Sequence, residues 1–385
     1  MNVILLYITC KSDCGFEEHV VSTKKIIIVG GGHAGIELAK RLDNHAQVTL
    51  IDGKDSFVHT PAAIRAVTDP ALLDQLIIPY SNLLKEGEVV QGWVESIDSD
   101  GVVLSDGRKL DSDITVVATG STYASPFKHT SAGLDDFRAA NRQAAASLVE
   151  AGTIAIVGAG PVGAELAGEI AEAYPDKEVH LITDEASLFP SYTSGLAKKL
   201  QADYSALGVH VHTGKLVSNL KSLSEPYAGV VELPGGESIE ADLVFPVIGA
   251  RPQSALLESV DGVKTAADGR VEHDGWMRPS KFRSSLFAVG DVLASGDAMT
   301  IVGISRQLPW LEKTIKAVLA GKSVESMKPY SPWPLAPIIL PLGPSLGATV
   351  LPFGKKGMAV GHWLTAKIKG KDLFIGKYRK QLGQD

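Results

Sequence analysis

The chain has 385 residues, 45% of them hydrophobic and 21% charged, enough for two or three domains with substantial cores and too apolar for disorder along most of its length. Its net charge of −7 gives no general attraction for nucleic acid, so no specific nucleic-acid partner is expected. Two cysteines, Cys10 and Cys14, supply neither a disulfide framework nor a tetrahedral zinc site, and no metal is expected. The charge is uneven: residues 355–385 hold eight Lys or Arg against two Asp, which makes that segment +6 and leaves −13 for the rest.

Residues 1–23 read as an N-terminal extension. Its apolar start has no preceding basic residue, which makes a poor secretory signal. Asn2 excludes N-myristoylation at this start, and both thiols are expected reduced. The first strand is expected at 25–29 (KIIIV), followed by Gly30-Gly31-Gly32-His33-Ala34-Gly35 and a helix over about 34–43. The next strand, 47–52, ends in Asp52, 17 residues after Gly35. Two β segments follow at 89–98 and 102–110, with Asp106-Gly107 as a hairpin signal. A strand at 114–118 then ends in Ala118-Thr119-Gly120.

The plan repeats. A strand at 153–157 leads to Gly158-Ala159-Gly160-Pro161-Val162-Gly163, a helix over 162–173 and a strand at 178–182. A helix near 193–207 and β segments at 209–213 and 229–233 come next, then a strand at 243–248 ending in Gly249-Ala250. Later, 284–291 is an apolar strand closed by Gly290-Asp291, and a helix over about 299–320 is expected to kink at Pro309 and stop near Gly321. Residues 326–385 read as a third, smaller unit. Its apolar run 333–353 holds five prolines and is no membrane-spanning helix.

Each G-x-G-x-x-G stands between a strand and a helix, where a dinucleotide pyrophosphate binds. The first glycine makes a tight turn, the second lets the backbone approach the phosphates, and the third packs helix on strand; the helix start offers N–H groups to the phosphates. Two such turns in one chain point to two dinucleotides and to electrons passing between them. Asp52 is expected to accept hydrogen bonds from ribose hydroxyls, against the alternative of a surface turn residue. The matching positions of the second unit, Thr183 and Asp184, have no arginine beside them, which leans to NADH and leaves NADPH open. Glu165 is either a dipole-favoured acid near a helix N-terminus or the group that holds the nicotinamide amide. Asp291 is either a cap or a partner for a cofactor hydroxyl chain.

These motifs resemble the flavoproteins with two dinucleotide-binding domains, such as glutathione reductase, type II NADH dehydrogenase and apoptosis-inducing factor. The likeness implies an α/β fold: two Rossmann-like (FAD/NAD(P)-binding) domains of the glutathione-reductase type plus a small C-terminal α+β unit. It implies an FAD-binding domain from 24–149 and 253–325, an NAD(P)H-binding domain at 150–252 and a membrane-proximal unit at 326–385. The stretches 52–57 (DGKDSF), 63–66 (AIRA), 158–165 and 369–374 (KGKDLF) resemble the apoptosis-inducing-factor-like group more narrowly. By that resemblance Lys54, Arg65, Val94 and Asp291 contact FAD, Glu165 serves the nicotinamide, and Lys369 and Phe374 lie near the flavin or quinone pocket.

The resemblance implies an NAD(P)H:quinone oxidoreductase, cytoplasmic and in peripheral contact with a membrane, the mitochondrial outer membrane or a lipid droplet, as a monomer or homodimer. With no cysteine after residue 14, electrons are expected to leave the flavin without a redox disulfide. Two alternatives are reduction of a ferredoxin- or rubredoxin-type protein and low-turnover redox signalling of the apoptosis-inducing-factor kind. The basic tail, with Trp363, Leu364, Ile368, Phe374, Ile375 and Tyr378 among its lysines, is read either as a membrane contact or as a solvated face over residues that close the flavin domain.

Overall fold

A computed structural model describes residues 23–129, 133–281, 284–353 and 357–384. The expected extension, with Cys10 and Cys14, thus lies outside the described residues except for Thr23, as do Lys355 and Lys356 of the basic tail.

Lys25–Val29 carries an unbroken run of β-branched residues, and such a run needs apolar cover on both faces. It sits mid-sheet accordingly. The first sheet runs in the order Leu286–Ala288, Ile114–Val117, Lys25–Val29, Gln47–Asp52, Glu88–Gln91, with every pairing parallel. The second sheet runs His210–His212, Glu178–Ile182, Thr153–Val157, Ser238–Pro246, Tyr227–Glu232, parallel except for its last strand. Both are Rossmann-like, and in both the glycine turn leaves the central strand at its carboxyl end, where ligands of such sheets bind. A two-residue antiparallel ladder, Ser121–Thr122 against Arg251–Pro252, ties the chain where it leaves the first sheet to the point where it returns.

Two helices absent from the sequence reading, Thr60–Arg65 and Leu134–Glu150, pack elsewhere than on the first sheet: Ile64, Ala144 and Leu148 join the second unit's core, and Ala62, Ala63, Leu134 and Phe137 form a smaller cluster with Leu373 and Ile375. Asn141 of the longer one donates to the Ala63 carbonyl of the shorter (3.2 Å). The strand expected at 243–248 begins earlier, at Ser238. Its first half alternates exposed and buried residues as a hairpin partner of Tyr227–Glu232, so its polar positions hide it from a search for apolar runs. Pro309 lies inside a helix that runs unbroken from Ile301 to Leu319.

The C-terminal unit opens with an antiparallel sheet, Ile338–Leu342, Leu346–Leu351 and Met358–Val360. It packs on the second unit so closely that a side chain at Gly168 would meet the Leu342 backbone. The tail then returns to the first unit, where Leu373, Ile375, Tyr378 and Leu382 are buried. Those residues take the reading in which tail apolar groups close the first unit's core. Trp363, by contrast, is 74% exposed, with the Lys367 ammonium over its ring at 5.2 Å. Among the described residues no helix is long and apolar enough to cross a membrane.

Candidate functional site

One cavity of about 1700 Å³ runs from the first glycine turn to the second. A cleft for one small ligand measures roughly 300–1,000 Å³, so this space exceeds a single-ligand site.

The two turns have the same backbone. Gly30 and Gly158 stand at φ +107° and +111°, a region costly for any other residue, and a Cβ on either would strike a carbonyl of the neighbouring strand end, Ala118 or Val247. A Cβ on Gly35 or Gly163 would strike the carbonyl oxygen of Gly30 or Gly158, so these glycines pack helix on turn and do not line the cavity. Gly32 and Gly160 have open space where a Cβ would stand, and each begins a helix that no side chain caps. The unpaired N–H groups of those helix starts, at His33 and Ala34 and at Val162, border the cavity, while Pro161 takes the first helical position, where it has no N–H to offer. Three glycines with three separate demands, met twice, fit two dinucleotide pyrophosphates.

Beside the first turn, Asp52 is 7% exposed and accepts from the Gly31 N–H (2.5 Å), the Lys54 N–H (2.9 Å) and the Lys54 ammonium (2.5 Å). A carboxylate offers about four acceptor positions, so a ribose hydroxyl still finds one. The Tyr80 hydroxyl donates to the Gly31 carbonyl (2.7 Å) and stiffens the same turn. Val94 and its neighbour Trp93 complete this wall. At the second turn Thr183 is buried, its N–H bonded to the His212 carbonyl (2.9 Å), while Asp184 stands exposed at the rim.

The strand ends Ala118-Thr119-Gly120 and Gly249, together with Gly290 and Asp291, also line the cavity. Gly120, Gly249 and Gly290 all have positive φ. Asp291 accepts from the Ser121 hydroxyl (2.6 Å), and the Lys128 ammonium donates to that same hydroxyl (2.8 Å), 3.7 Å from the carboxylate. Burial pushes Lys128 below the usual lysine range, with Asp291 opposing. Lys128 and His129 line the cavity and were missed in the sequence because their loop carries no glycine signature; folding alone sets Lys128 beside Asp291 and His129 near Lys54 and Asp52.

Glu165, on the helix Pro161–Ala173, is 4% exposed and paired with Lys369 at 2.5 Å. Burial raises its carboxyl, and the Lys369 charge works against that rise. Phe374 lines the cavity from a left-handed pose, φ +66°, directly after Leu373 at φ +51°. Behind it His33, His59, Phe57 and Tyr378 form an aromatic group with ring centroids 4.6–6.2 Å apart.

Of the residues expected at the cofactors, Gly35, Gly163 and Arg65 stand away from the cavity, the two glycines as packing positions and Arg65 for another reason. The Arg65 guanidinium grips Glu169 through both carboxylate oxygens (2.8–3.0 Å) and donates to the carbonyls of Gly370 (2.7 Å) and Lys371 (3.2 Å). The arginine that ends the helix Thr60–Arg65 is thus turned to the C-terminal segment, because Glu169, one turn beyond Glu165, receives it.

The chain belongs to the family described as pyridine nucleotide-disulphide oxidoreductase, whose model matches residues 24–320. It is an NAD(P)H-dependent flavoprotein oxidoreductase, with FAD and NAD(P)H as cofactors. Apoptosis-inducing factor homolog B of Dictyostelium discoideum is 29% identical over 384 residues, 93% of this chain and 97% of that relative. Ferroptosis suppressor protein 1 of Xenopus tropicalis is 26% identical, covering 96% and 99%. In fold the chain is similar to the sulfide:quinone oxidoreductase of Aquifex aeolicus, with TM-score 0.72, 16% identity and 93% and 90% of the two chains covered. It is likewise similar to the putidaredoxin reductase–putidaredoxin complex, with TM-score 0.61, 22% identity and coverage of 78% and 76%.

Proposed function

We propose that this oxidoreductase passes electrons from NAD(P)H to a quinone. The observation that carries the reading is one cavity shared by both glycine turns in a sequence with no cysteine after residue 14, so electrons have no sulfur relay to cross. FAD, when bound, takes a hydride from the nicotinamide and returns electrons to the acceptor. The residues supply placement and charge. Residues 24–149 and 253–325 hold FAD through the Gly30 turn, Asp52, Lys54, Val94, the Ala118-Thr119-Gly120 strand end and Gly290-Asp291, with Lys128 beside Asp291. Residues 150–252 hold NAD(P)H through the Gly158 turn, Thr183, Asp184 and Gly249.

Glu165, fixed by Lys369, orients the nicotinamide amide. Lys369 and the start of the helix Ile301–Leu319 face negative charge with a cation and a positive dipole end. Ala336, Pro337, Ile338, Ile339 and Leu340 give the cavity an apolar wall on the C-terminal side, and Phe374 adds an aromatic face. That wall favours a quinone over a protein acceptor, and the −13 body would repel an acidic ferredoxin. Exposed Trp363 among lysines suits reversible, salt-sensitive contact with an anionic bilayer, where such an acceptor dissolves.

Anaerobic mixing with NADH and with NADPH, followed by a panel of quinones and a ferredoxin, tests the reading. Bleaching of a yellow chromophore by NAD(P)H and its recovery by quinone are expected. A colourless purified protein, or recovery by ferredoxin alone, would overturn it.

A further inference from the structure

The strap Lys369–Phe374 presents two of the candidate site residues, yet it is no α-helix or strand: it leaves the π-helical turn Ala366–Gly370 and passes through two consecutive left-handed non-glycine residues, Leu373 and Phe374. Such backbone persists only where its surroundings over-determine it. Here the surroundings are two buried side chains from one stretch of the first unit. Arg65 donates to the carbonyls of Gly370 and Lys371, and the His59 ring nitrogen Nε2 meets the Leu373 carbonyl at 2.6 Å.

The direction of the histidine bonds follows from chemistry. A carbonyl only accepts, so His59 Nε2 carries a proton. Burial pushes His59 down to about 4 and His33 well below its usual value, so both rings are neutral near pH 7. His59 Nδ1 is therefore an acceptor, filled by His33 Nε2 at 3.1 Å. Through His33, a residue of the first glycine turn, the strap is tied to the cradle itself.

A closed ring results. Glu165 and Glu169 stand one turn apart on one helix. Glu165 holds Lys369, Glu169 holds Arg65, and Arg65 holds the carbonyls that follow Lys369 in the chain. We propose that His59 and Arg65 are positioning residues, which clasp the strap Lys369–Phe374 by its carbonyls and so set the Lys369–Glu165 pair and the pose of Phe374. Arg65 then serves the site through the strap. The consequence for hydride transfer rests on the reading of Glu165 given above; the clasp itself does not.

The test uses the full chain with flavin bound and the variants Arg65→Met and His59→Leu. Lys369 acylation by an amine reagent, read by mass spectrometry, and hydrogen exchange across 366–376 are expected to rise about tenfold, with other lysines unchanged, since the bonds to the Gly370 and Leu373 carbonyls are buried and those from Arg65 are charged. His59→Gln keeps a donor for the Leu373 carbonyl and is expected to restore protection, whereas Arg65→Lys cannot reach Glu169 and two carbonyls together and stays intermediate. The rate of flavin reduction is expected to fall about tenfold with little change in the NAD(P)H concentration that half-saturates it.

Unchanged Lys369 acylation in the truncations overturns the proposal, and so does a rise shared by all lysines, which marks general loosening. If a truncation does not fold, Arg65→Lys decides: wild-type protection there overturns the clasp. A wild-type protein that reduces no quinone would sink the functional reading and leave the acylation result standing.

Discussion

At the first glycine turn the strand-end acid, Asp52, is buried and holds three donors of its own turn; at the second, Asp184 stands in solvent. The backbones are otherwise matched, with the same positive φ, the same collision of the third glycine with the first, and the same uncapped helix start. The shared part answers to what the two ligands share, a pyrophosphate. On the proposed assignment of FAD to the first cradle and NAD(P)H to the second, the unshared part distinguishes a ligand that stays from one that enters and leaves. The buried carboxylate is held in place by donors of the protein itself before any ligand arrives, whereas the exposed one faces solvent.

Filling the cradles breaks the comparison most sharply. Gly32→Val puts a branched side chain into the open space of the first turn, and Gly160→Val does so at the second. Overpacking costs about 1–3 kcal/mol, roughly tenfold to hundredfold in binding. The first variant is expected to purify with little yellow absorbance, and the second to stay yellow while NAD(P)H reduces it poorly in anaerobic stopped flow. Both colourless, or both normal, would erase the division of labour.

Glu165→Gln leaves the Lys369 ammonium largely buried without its partner. Breaking such a pair costs about 3–5 kcal/mol where both groups are fully enclosed, and somewhat less here because Lys369 keeps 13% of its side chain exposed. Flavin content is expected to hold, and the rate of flavin reduction to fall on the order of a hundredfold, measured by absorbance at saturating NADH.

A pH scan sharpens the contrast between the tail's anchor and the open rim. His59 has a folded pKa of about 4 against an ordinary 6.5, so the unfolded chain binds its proton first as pH falls. Its contribution is complete above pH 6.5 and declines toward pH 4, at up to about 1.4 kcal/mol per pH unit. His33, also pushed down, acts with the same sign, while buried Glu165 and Glu169, pushed up, act with the opposite sign. The measure is therefore a difference: denaturant midpoints of His59→Gln should fall less steeply than wild type between pH 6.5 and 4. Parallel curves would refute a neutral buried His59.

The smallest effect belongs to the exposed acid. Asp184→Ser is expected to shift the preference between NADH and NADPH toward NADPH by no more than about fivefold, since a solvated charge acts through screened fields. Steady-state kcat/KM for the two donors measures it, and a shift of hundreds of fold would place Asp184 in a closed pocket instead.

What was legible in the residues follows from local rules. The run Ile26-Ile27-Ile28-Val29 before three glycines needs no partner to read as a buried strand and a phosphate turn, and the repeat at Ile154–Gly163 reads the same way. The strand ends Thr119-Gly120 and Gly290-Asp291 were visible for the same reason. The helix Leu134–Glu150 was not, because its buried positions form a narrow stripe among alanines and charges. Lys128, brought against Asp291 over 163 residues of chain, has no local signal at all.

The sequence alone therefore determined the two cradles, because a turn with positive φ and a glycine under a carbonyl are demands made within a few residues. It determined as well that no cysteine follows residue 14. Tertiary structure alone decided that the cradles open on one cavity, that Arg65 is taken up by Glu169 and the tail, and that His59 holds the Leu373 carbonyl while His33 fills its other ring nitrogen. Those outcomes depend on buried charges and lone pairs finding partners across tens to hundreds of residues, and a desolvated group takes whichever partner the packing brings within about 3 Å.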